Sequence, residues 1–103
     1  MRVTVLVSDP ARWVLEAACG WVAGGDATTV VLLDAAAALA RPGHPDAGAV
    51  RKAQEGGVTV VVHDGALVRR GMAPGAVADG VAVVDLDEVA DLITTGADRA
   101  LWY

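Results

Sequence analysis

Val58-Thr59-Val60-Val61-Val62, followed by His63-Asp64 and then by Ala66-Leu67-Val68-Arg69-Arg70 up to Gly71, is the stretch that decides the fold. A strand with one wet face alternates apolar and polar residues. A continuous β-branched run instead marks a strand covered on both faces, as in a parallel sheet. The residues after it read as a turn and a short helix closed by glycine. The same order recurs along the chain. Val3 to Val7 is closed by Ser8-Asp9-Pro10, and a helix of about Ala11 to Ala23 ends at Gly24-Gly25. Thr28 to Leu33 is the second strand, and Asp34 opens a short alanine-rich helix, Ala35 to Ala40. Arg41-Pro42-Gly43-His44-Pro45-Asp46 is the loosest segment. A helix from Ala47 to Gln54 leads to the quoted strand. Met72 to Gly80 is a loop, Val81 to Val84 a strand, Glu88 to Thr95 a helix, and Ala100 to Tyr103 a short last strand.

Alternating strands and helices predict right-handed crossovers and an α/β fold: a small three-layer parallel sheet of four to five strands with helices on both faces. The 103 residues suit one domain spanning 1–103. Sites in such sheets lie beyond the carboxyl ends of the strands, which here carry Ser8-Asp9, Asp34, His63-Asp64 and Asp85. Asp9 with Pro10, Asp34, Asp64 and Asp85 are all expected to cap helices, which accounts for aspartate at those places without a metal.

Composition excludes several functions. The net charge is −5, and Lys52 is the sole lysine, which argues against direct nucleic-acid binding. One cysteine, Cys19, rules out an intramolecular disulfide and a cysteine-cluster metal site. His44 and His63 are not spaced as metal ligands. No cofactor is expected, because no G-x-G-x-x-G follows a strand and no G-x-x-x-x-G-K-[ST] occurs. Ser8, His63 and Asp34 make a triad on paper only, since the nucleophile-elbow sequence is missing. The opening apolar run is too short for a signal peptide, and no run approaches a membrane span, so the chain reads as cytoplasmic.

Two groups of residues stand out. On a helical wheel Val14, Ala18 and Val22 face the sheet, Arg12 and Glu16 face water, and Cys19 falls at the margin between Leu15 and Arg12. It is either a small core residue or a reachable thiol. Trp13 falls off the core face of its helix, and Trp102-Tyr103 ends the sequence. These aromatics either cap edges of the core or form contact surfaces. A mean hydropathy of +0.46 is consistent with apolar surface covered by a partner.

Val60-Val61-Val62-His63-Asp64-Gly65-Ala66-Leu67-Val68-Arg69-Arg70-Gly71 resembles the strand-helix unit of the DsrE/DsrH family of small sulfur-relay proteins. Val81 to Ile93, closing on Ala100-Leu101-Trp102-Tyr103, is similar to the DsrH (TusB) branch, which often ends in tryptophan. Leu15-Glu16-Ala17-Ala18-Cys19, then Gly25-Asp26 before a strand and Asp34, resembles the DsrH helix with its cysteine. The resemblance implies an accessory subunit of a persulfide-transfer complex, as in tRNA thiolation or sulfur oxidation. Its partners would be DsrE/DsrF-like or TusC/TusD-like chains, or further copies of itself. It is not expected to be an enzyme on its own. The active branch carries its persulfide cysteine just after the third strand. Here that place reads His63-Asp64-Gly65-Ala66, which leaves Cys19 as the candidate sulfur carrier and His63, Asp64, Trp13, Trp102 and Tyr103 as candidate partner surface. The alternative is an interaction module of the same fold without sulfur chemistry.

Overall fold

The computed structural model describes residues 1–103. Its five strands are β1 (Arg2–Val7), β2 (Ala27–Leu32), β3 (Thr59–His63), β4 (Ala82–Val84) and β5 (Arg99–Trp102). All pair in parallel in the order β4-β3-β2-β1-β5. The α-helices are α1 (Arg12–Ala23), α2 (Ala47–Glu55), α3 (Asp64–Arg69) and α4 (Leu86–Thr94), with 3-10 segments at Asp34–Ala40 and Pro74–Ala76.

The strand order dictates where the helices go. β1 to β4 step steadily across the sheet, so right-handed crossovers place their connections on one face. The step from β4 back to β5 runs the other way, which puts α4 on the opposite face. The side chains divide accordingly. Val5, Val7, Val30, Leu32, Val60 and Val62 point into a 20-residue core shared with α1, α2, α3 and the 3-10 segment. Leu6, Val31, Val61 and Val84 point the other way, into a five-residue core with Val89 of α4. Strand alternation thus feeds two unequal layers. Thr4, buried in the thinner layer, donates its hydroxyl to the Leu92 carbonyl at 2.9 Å and so ties α4 to β1.

At the amino end Asp98 clamps β5 to β1. Its carboxylate accepts from the Arg2 backbone N–H at 2.7 Å and faces the Arg2 guanidinium. Its pKa is lowered from the ordinary value, first by that backbone hydrogen bond and then by the Arg2 charge.

Of the four aspartates expected to cap helices, only Asp85 does so. Its side chain accepts from the Glu88 N–H at 2.8 Å while the Glu88 carboxylate accepts from the Asp85 N–H at 3.1 Å, a complete capping box. Asp9 lies outside α1, whose N-cap is Ala11 without a side-chain cap. Asp34 is the first residue of the 3-10 segment and sits at φ 46°, in the left-handed region. Asp64 is the first residue of α3 and accepts from the Gly65 N–H at 2.6 Å. Asp85→Ala should therefore cost about 1 kcal/mol, read as a lower urea midpoint, whereas Asp9→Ala should leave that midpoint in place.

Candidate functional site

The carboxyl edge of the sheet gathers most of the residues singled out from the sequence. Beyond β1 come Ser8 and Asp9, beyond β2 Asp34, at β3 His63 and Asp64, beyond β4 Asp85, and at β5 Trp102 and Tyr103. Along this edge the order is that of the strands, so Ser8 lies between Asp34 and Trp102.

The β1–β5 corner is built by Trp102 and Tyr103. Tyr103 donates its N–H to the Leu6 carbonyl and accepts from the Ser8 N–H, both at 2.8 Å. The Trp102 indole Nε1–H donates to Ser8 Oγ at 2.7 Å. The Tyr103 ring meets Trp13 edge to face, with centroids 4.9 Å apart and planes at 80°. The sequence places Trp13 off the core face but gives no sign that it meets Tyr103. All three aromatics remain exposed, Trp102 at 69%. Five of the six exposed large hydrophobics lie within six residues of a strand's carboxyl end: Trp13, Val68, Leu86, Trp102 and Tyr103.

Farther along the edge, Arg69 Nη2 lies 3.5 Å from the Asp34 carboxylate. His63 Nε2 lies 3.4 Å from Asp64, with the imidazole largely buried. A Cβ on Gly65 would come within 2.8 Å of His63 Cε1, so glycine leaves room for the ring beside the start of α3. His44 is not part of this edge; its Nδ1 accepts from the Asp46 N–H within the proline-rich loop.

Cys19 is elsewhere. It is the eighth residue of α1, which runs away from the carboxyl edge, and its sulfur lies beside Gly56, where α2 ends just before β3 begins. The length of β3, about 16 Å at the usual rise per residue, separates that level from His63. Half-buried, Cys19 lines a cavity of about 240 Å³ between α1 and α2 with Arg12, Leu15, Glu16, Ala49 and Lys52. The helical-wheel reading of Cys19 beside Leu15 holds, and two of the few cations flank it. Arg12, however, is engaged with Glu16 at 3.1 Å. Ser8 follows β1 and His63 ends β3, with β2 between them, and Ser8 Oγ is engaged by Trp102, so the paper triad has no nucleophile–base hydrogen bond.

Because Cys19 and the His63-Asp64 pair are so separated, His63→Ala and Asp64→Ala should leave thiol labelling of Cys19 in the folded protein unchanged in rate. Loss of labelling in either variant would show that the two regions are coupled.

These features define a class: an all-parallel five-stranded α/β domain with an aromatic carboxyl edge and a separate cysteine groove. Two solved structures superpose on it over nearly the whole chain. A protein of unknown function, MTH1491 from Methanobacterium thermoautotrophicum, matches with a TM-score of 0.85 at 17% identity, covering 99% of this chain and 98% of that one. The ychN protein from E. coli matches with a TM-score of 0.83 at 19% identity over 100% of both chains. At such identities the likeness shows the fold. No protein-family model matches the sequence, and no curated protein does. No helix is long and apolar enough to cross a membrane.

Proposed function

We propose that this chain is an accessory subunit of a sulfur-relay complex, of the DsrH (TusB) kind, that docks through its carboxyl edge and handles sulfur through Cys19. The observation that carries the docking half is the corner of exposed Trp13, Trp102 and Tyr103 beyond the ends of β1 and β5. A monomer would leave this apolar surface wet. The accessory half is supported by the end of β3. There, where the active branch of the resembled family carries a cysteine, stand a largely buried imidazole and a carboxylate. Neither can hold a persulfide, and a carboxylate repels a thiolate.

The chemistry open to Cys19 is exchange without an added oxidant. Its thiolate attacks the terminal sulfur of a donor persulfide, the donor's S–S bond breaks, and the donor thiolate leaves. The groove between α1 and α2 gives that sulfur a way in.

The test is incubation of the folded chain with a cysteine desulfurase and cysteine, followed by intact-mass measurement. The expected result is a gain of one sulfur that Cys19→Ser abolishes. If Cys19 reacts only after unfolding and no sulfur is gained, the sulfur role is lost and the chain is an interaction module of the same fold.

A further inference from the structure

A docking edge receives a surface of matching chemistry. Resting on the docking half of the proposed function, we infer that the surface this face receives presents arginine side chains among apolar residues.

The aromatic corner is tied to the rest of the chain before any partner arrives. Trp102 is exposed, yet its indole is fixed by the hydrogen bond to Ser8 Oγ. Tyr103 is fixed by two backbone hydrogen bonds and by the edge-to-face contact with Trp13. Each ring is already held by a contact within the chain, which lowers the ordering cost that a partner has to meet. Such anchors suit the centre of an interface.

The same edge is acidic. Each of the first four strands is followed within two residues by an aspartate: Asp9, Asp34, Asp64 and Asp85. The arginine that reaches this row, Arg69, is occupied by Asp34 at 3.5 Å. Arg12, next to Trp13, is turned to Glu16. Asp9 is exposed and follows Ser8, the residue that holds the Trp102 indole. Exposed indole and phenol faces on an edge that also carries the exposed Asp9 carboxylate attract a guanidinium in two ways, by stacking and by ion pairing. Two copies meeting about a twofold axis would press the same aspartate row against itself, which disfavours self-pairing through this edge.

The probe is a short synthetic peptide alternating leucine and arginine, with a leucine–glutamate peptide as control. The readout is the set of indole Nε1–H resonances of Trp13, Trp21 and Trp102 in the ¹⁵N-labelled full chain. The arginine peptide should move Trp13 and Trp102 and leave Trp21 in place, and salt should weaken the effect. The glutamate peptide should move none. Asp9→Asn should weaken binding about two- to fivefold, as for an exposed ion pair. Equal binding of both peptides, no shift with either, or self-association of the isolated chain that Trp102→Ala removes would each overturn the inference. If a purified complex falls apart with Trp102→Ala while the arginine peptide leaves the indoles unmoved, the partner chemistry is wrong and the docking edge stands.

Discussion

Trp102→Ala is expected to release the chain from an assembly built on its carboxyl edge while leaving the fold intact. The indole is 69% exposed, and its one polar contact is with the hydroxyl of Ser8. Removing it strips little from the core, so the urea midpoint should move by no more than an exposed substitution usually moves it, about 0.5 kcal/mol in stability. A central aromatic anchor in an interface is worth about 2–4 kcal/mol, a weakening of roughly 30- to 1,000-fold. Light scattering on wild type and variant with the partner present reads the loss directly. An unchanged mass would move the interface elsewhere.

The second large effect concerns the thicker core layer. Leu67 is fully buried on α3 and shares its core cluster with the alanines Ala36, Ala37 and Ala40 of the 3-10 segment. Those small side chains let the segment lie close to the sheet, but they cannot reach into a void. Leu67→Ala should therefore open a cavity that its neighbours fill poorly. The expected cost is about 2–5 kcal/mol, a large share of the roughly 5–15 kcal/mol typical of a domain. Urea denaturation would show it as a lower midpoint at unchanged slope. A shift under about 1 kcal/mol would mean that the layer collapses around the gap.

Much of the fold is legible in the sequence because the physics that sets it is local. The unbroken runs around Val5, Val30 and Val61 mark strands covered on both faces, and glycine stops such as Gly24 and Gly56 mark where helices end. Asp85 followed three residues later by Glu88 is the sequence signature of a capping box, and one forms.

Strand order is not legible there. The valine-rich strands are interchangeable as sequence, and the return from β4 to β5 leaves no local trace. The failed cap at Asp9 has the same origin. The Ser8 N–H is drawn to the Tyr103 carbonyl at 2.8 Å, and its carbonyl accepts from Ala36, so Ser8 is committed to β5 and to the 3-10 segment and α1 starts only at Arg12. The long-range contact of Ser8 with Tyr103 thereby overrides a local Asp-Pro signal. At the site, Trp13 can be seen to leave the core face, but its meeting with Tyr103 depends on β5 lying beside β1.

The central claim is an accessory subunit docked through its aromatic carboxyl edge. Its most direct test is the native mass of this chain co-expressed with the DsrE-like and DsrF-like chains of its own source, for wild type and for Trp13→Ala/Trp102→Ala. The expected result is a stable higher-mass complex for wild type and a folded monomer for the double variant. A wild-type chain that stays monomeric at tens of micromolar beside those partners, or a double variant that assembles as well as wild type, would contradict it.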